Sequence, residues 1–164
     1  MIGPITWQQQ NLRNQFFMFN CSQNVLASTA ATAEAVMYTY TIPAGTLGLQ
    51  DGIYIESSIS VPATTNIKNF QLRMGAQGCG LAGSIIQNVN TASASFSSLV
   101  SMIQLINLGS LSAQLCNPYQ MGPANGAAVN FAAAVDIVLS GWCSAGTAIG
   151  VNSYVRFGVQ RVGQ

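Results

Sequence analysis

The sequence predicts an all-β protein: an antiparallel β-sandwich of the jelly-roll kind, with about eight strands and an N-terminal arm. Three observations carry this expectation. From Glu34 onward, apolar and polar residues alternate with a period of two. Turn signals recur roughly every 8 to 15 residues, and no long stretch keeps a helical period. The polarity comes from Ser, Thr, Asn and Gln rather than from Lys and Glu, a balance that favours strands and turns over helices.

The elements follow in order. Residues 1–33 form the predicted arm, with a Gln/Asn-rich start and the aromatic cluster Phe16, Phe17, Met18 and Phe19. Leu12 and Phe16 stand four apart, which suits a short local helix. Together with Trp7, the residues Phe16, Phe17 and Phe19 are too apolar for a free tail and are the candidate partner-docking residues. The sandwich is expected over 34–164. Val36, Tyr38, Tyr40 and Ile42 alternate with Met37, Thr39 and Thr41, and Pro43 ends that strand by removing a donor. After Asp51-Gly52 a second strand runs through Ile53, Ile55, Ser57, Ile59 and Val61. A third places Lys68, Phe70, Leu72 and Met74 on one face, opposite Ile67, Asn69, Gln71 and Arg73. Leu81 to Val89 is short. Ala94 to Asn107 is longer and apolar on both faces, as in a strand covered on each side. Leu111 to Cys116, Val129 to Leu139 and Ser153 to Val162 complete the set.

Size and charge bound the function. At 164 residues and 17.2 kDa the chain suits one domain with a sizeable core. A hydrophobic share of 49% with net charge +1 does not suit disorder. Five scattered cations give no basic stripe, so no nucleic-acid partner is expected. The start has no positive region before an apolar core, and no apolar run approaches the roughly 18 residues of a membrane helix. Neither a signal peptide nor a membrane partner is therefore expected. Charged residues make up only 5% of the chain, which suits a surface covered in an assembly, because interface cores are depleted of charge. Cys21, Cys79, Cys116 and Cys143 form no CxxC pair and are expected as free, mostly buried thiols.

Little of the sequence suggests catalysis. With no histidine, a Ser-His-Asp or Cys-His site cannot be built. Glu34, Asp51, Glu56 and Asp136 remain as carboxylates for a glycosidase pair, with Asp51 and Glu56 nearest in sequence. Asp51 beside Gly52 reads better as a turn residue. "GCG" at Gly78 to Gly80 lacks the lysine and helix start of a phosphate loop. Trp142, Tyr119 and Tyr154 could stack on sugars, although tyrosines on alternating strands are more often core or rim residues. The expectation is a non-enzyme with no catalytic, cofactor-binding or metal-binding residues and no cofactor.

Five segments carry a resemblance: "YTYTIPAGTLGLQDGIYI" from Tyr38, "TNIKNFQLRMG" from Thr65, "LINLGSLSAQL" from Leu105, "AAAVDIVLSGW" from Ala132 and "NSYVRFGVQRV" from Asn152. In that order they resemble a small jelly-roll module of tailed-bacteriophage virion proteins. Leu108 departs from it, standing where the module carries a basic residue. The resemblance implies a capsid decoration or cement subunit, a head appendage, or a tail-fibre or receptor-binding module recognising a host glycan. It implies a location in the virion, after assembly in the host cytoplasm. The partners it implies are further copies of the chain, as a trimer, and the major capsid protein or other virion proteins.

Overall fold

The computed structural model describes residues 16–25, 30–92, 94, 98–118, 126–127, 129–149 and 153–160. Among them run ten strands: β1 (Phe16–Val25), β2 (Ala35–Ile42), β3 (Gly52–Ser60), β4 (Lys68–Ala76), β5 (Ser84–Thr91), β6 (Ser98–Asn107), β7 (Gln114–Pro118), β8 (Gly126–Ala127), β9 (Val135–Cys143) and β10 (Tyr154–Gln160). A 3-10 turn at Gly80–Ala82 precedes β5.

All strand pairs are antiparallel, and the pairing is nested. β1 pairs with β10, β2 with β9, β3 with β6, and β4 with β5. Two further pairs, β10 with β3 and β4 with β9, fold this long hairpin into two layers. One layer is β1-β10-β3-β6, extended at its edge by β7 and β8; the other is β2-β9-β4-β5. That wind is a jelly roll, as the sequence predicts.

The period of two explains the core. Ile53, Ile55 and Ile59 of β3 face inward with Ile103 and Leu105 of β6 and with Val155, Phe157 and Val159 of β10. Against them pack Phe70, Leu72 and Met74 of β4 and Val135, Ile137 and Leu139 of β9. Tyr40 stacks on Phe157 with ring centroids 4.5 Å apart, tying β2 to the opposite layer. A register shift between Val36 and Tyr38 changes the phase of β2: Val36, opposite Ser140, is 44% exposed, whereas Met37 is buried.

Lys68 is the exception inside this core. It continues the inward row of Phe70, Leu72 and Met74 and is 0% exposed. Its ammonium donates to the carbonyls of Pro62 (3.0 Å) and Thr64, so the buried charge is satisfied by the loop that leads into its own strand.

Four expectations are corrected. The arm does not extend to residue 33. β1 is a full strand of the larger layer, with Phe17 opposite Val159 and Phe19 opposite Phe157, so the sandwich includes Phe16–Val25. Val129 to Leu139 is not one strand. Asn130 turns the chain, its side chain accepting from the Ala132 amide at 3.0 Å, and the strand begins at Val135. Leu81 lies in the 3-10 turn, and Leu111 in a turn before β7.

Candidate interaction face

The four carboxylates are held apart, each in its own setting. Asp51 accepts from the Gly48 amide at 2.7 Å, and its carbonyl receives the Asn107 amide at 3.0 Å. It is a buried turn residue at the base of β3. Glu56, an odd number of residues further along, points outward and accepts the Tyr154 hydroxyl at 2.8 Å. Asp51 and Glu56 therefore leave β3 on opposite sides and build no shared cleft. Asp136 and Glu34 both serve the outer face of the smaller layer. They engage β9 at positions four residues apart, about 13 Å along a strand.

The middle of that outer face is covered by the chain itself, while Val36 and Ile85 stay exposed towards its edges. Asp136, Val138 and Ser140 alternate with core-facing residues of β9, yet all three are buried. Asp136 accepts from Thr41 Oγ1 (2.6 Å) and from the Gly78 amide (2.7 Å), fixing the turn that follows β4. Arg73 donates to both oxygens of Glu34 at 2.8 Å, to Gln71 Oε1 at 2.7 Å and to the Gly83 carbonyl at 3.0 Å. Ser140 also donates to Glu34. The Arg73 hydrogen bonds, helped by Ser140, hold the Glu34 carboxyl below the usual carboxylate range despite its partial burial. Arg73 and Asp136 thus bind the 77–83 segment at two points. Cys79 packs beneath it, so close to Gly75 that a Cβ on Gly75 would lie 2.9 Å from the sulfur. Burial pushes the Cys79 thiol up, and the Asp136 charge adds to that.

Among the described residues no segment crosses the outer face of the larger layer, and most of its side chains are half-buried. Register sets out its rows. Gln160, Gly52, Ile106 and Leu115 lie side by side; Gly158, Tyr54 and Gln104 form the next row; Arg156, Glu56 and Met102 the third; Tyr154 and Ser58 the fourth. Leu115 is 44% exposed, and Leu108, just past the end of β6, is 60% exposed. Gln104 Nε2 donates to Gln160 Oε1 at 2.6 Å, crossing β3 beside Gly52. The two charges neutralise each other locally. Glu56 lies opposite Arg156, and the Arg156 guanidinium sits 4.8 Å from the centre of the Tyr154 ring. The hydrogen bond to Glu56 raises the Tyr154 phenol above its ordinary range.

The other sequence candidates fall as follows. Trp7 and Tyr119 lie outside the described residues, and Phe16, Phe17 and Phe19 belong to β1. Trp142 is half-buried on β9 opposite Asn69. Tyr154 has one ring face taken by Arg156, a poor platform for a sugar. Cys143 is buried and Cys79 half-buried, both as free thiols. Among the described residues no cluster of three or more His, Cys, Asp or Glu could hold a metal, and no helix is long and apolar enough to cross a membrane. Sequence reasoning missed the open face as a unit. Its signal was the outward series Tyr54-Glu56 and Met102-Gln104-Ile106, legible only once β3 and β6 are known to pair.

No family model and no curated protein matches the chain. Two solved structures are similar to it. The CBM2 module of the evolved Dit of Lactobacillus casei BL23 phage J-1 is 9% identical with a TM-score of 0.40, over 77% of this chain and 70% of that one. A chain in the structure of the infectious bursal disease virus Gx strain is 10% identical with a TM-score of 0.35, over 93% of this chain and 31% of that one. Both neighbours are viral proteins.

Proposed function

We propose that this chain is a non-catalytic structural subunit of a virus particle, a decoration, cement or head-appendage protein of a tailed bacteriophage. The observation that carries the reading is the pairing of a complete jelly-roll wind with a chain in which only 5% of residues are charged. A jelly roll serves many functions, so the fold alone decides nothing. Support comes from the uncharged surface, from the five segments resembling the phage module, and from carboxylates committed to turns, strands and an ion pair. The mechanism is geometric: the subunit covers apolar surface on its neighbours, at about 25 cal/mol per Å² buried, and a modest contact repeated over many copies stabilises the shell. Peptide mass spectrometry of purified particles, with antibody labelling of the chain, tests this. The chain should be present in stoichiometric amounts and label the head surface. Particles lacking it, or purified chain that releases sugar from a host envelope, would contradict the reading.

A further inference from the structure

We infer that the outer face of the larger layer, centred on Tyr54, Met102, Gln104, Ile106 and Leu115, is the surface on which a second copy of this chain docks. The inference concerns self-association and does not require the particle reading. Three properties of the face select a copy of itself as the occupant.

The first is extent. Strands of the lengths given above, at ~3.3 Å per residue and ~4.8 Å apart, cover about 700 Å². A stable interface takes roughly 800 Å² from each partner, so one whole face is the right size and half a face would not be. The second is charge. Among its described side chains only Glu56 and Arg156 are charged; they sit opposite each other on adjacent strands, joined through Tyr154. Two identical faces can meet without a like-charge clash, whereas a strongly charged partner would find nothing complementary. The third is chemistry. Tyr, Met and Arg are residue types enriched at interface cores, and this face carries Tyr54, Tyr154, Met102 and Arg156. Gln104 and Gln160 each hold both donors and acceptors, so their amides can pair with the same amides of a second copy. The outer face of the smaller layer has less of this freedom, because the 77–83 segment and the Arg73–Glu34 pair cover its middle and leave Val36 and Ile85 exposed only towards its edges.

Sedimentation velocity of the full chain tests the inference. The wild type should sediment as a dimer or larger closed assembly at tens of micromolar. Met102→Arg, which sets a long cationic side chain opposite Glu56 and into the contact, should shift dissociation by about tenfold or more toward monomer. Leu115→Glu alters a side chain already 44% exposed, so it keeps the fold intact and carries the test should Met102→Arg misfold. Val36→Glu, equally exposed on the opposite face, should leave the assembly unchanged. A wild type monomeric at 100 µM (taken as about a hundredfold above a micromolar Kd) overturns the inference. So does Leu115→Glu that remains fully assembled. Glycan binding by a monomer, lost in Leu115→Glu, would overturn it too by giving the face another occupant. Particle occupancy of the same variants is scored separately and bears only on the particle reading.

Discussion

The two outer faces of this sandwich solve the same problem in different ways. Each sheet buries one side in the shared core and must do something with the other. The smaller layer covers its own: Asp136 and Arg73 reach out and bind the backbone of the segment that follows β4. Most buried polar groups there have a partner, Asn69 Oδ1 being an exception, and Arg73 donates to a carboxylate, an amide oxygen and a backbone carbonyl. The larger layer keeps its outward side chains half-buried, with Tyr, Met and Gln among them and Glu56 and Arg156 as an opposed charge pair. Burial alone does not tell a functional surface from a structural one. What separates these two faces, among the described residues, is that Arg73 and Asp136 hold a segment of the chain across one, whereas the polar groups of the other bond to neighbours on the face itself.

The largest expected effect breaks the closed face. Gly75→Val would drive a branched side chain into Cys79, whose Cβ already lies 2.8 Å from where the first added carbon would stand. The backbone of Gly83 is 3.3 Å away on the same side, so the 77–83 segment must lift. A loss of about 2–3 kcal/mol is expected in urea unfolding at a protein concentration low enough to keep the chain monomeric.

Next comes the ion pair. Arg73→Met leaves the partly buried Glu34 without its main partner and frees the Gly83 carbonyl, for a loss of about 2 kcal/mol at pH 7. Glu34 has a depressed folded-state pKa, so the stability it contributes is fully present above the unfolded carboxylate value and is lost as pH falls through the folded one. Wild-type stability should therefore decline below about pH 4.5 more steeply than that of Glu34→Gln. Parallel acid profiles for the two proteins would contradict the role given to Glu34.

The smallest effect is on the open face. Gln104→Ala removes one half-buried amide bridge, worth about 0.5–1 kcal/mol in the monomer, and should leave β3 and β6 paired. A loss as large as that of Gly75→Val would mean that the open face also holds the fold together, and the contrast between the faces would disappear.

Local patterning made much of this fold legible. Ile53 to Ile59 and Lys68 to Met74 alternate so strictly that strand and face follow from sequence. β1 was hidden because Phe16-Phe17-Met18-Phe19 is apolar without alternation, and its partner strand lies at the other end of the chain. Val129, Phe131 and Ala133 alternate like a strand, but the Asn130 side chain gives the backbone a turn instead. Lys68 was placed on the correct face; nothing local revealed that the Pro62 and Thr64 carbonyls would receive its ammonium. The closed face was illegible for the same reason: Arg73 meets Glu34 across 39 residues and Gly78 meets Asp136 across 58. Such pairs arise from the wind of the sheets, which propensity does not encode.

The contrast between the faces is tested most directly by methionine oxidation of the purified full-length chain at increasing protein concentration. Met74 is 0% exposed in the core, while Met102 is half-buried on the open face. Peroxide should oxidise Met102 readily in dilute solution and progressively more slowly as copies associate, with Met74 slow throughout. Oxidation of Met102 at one constant rate from nanomolar to tens of micromolar chain would contradict the account.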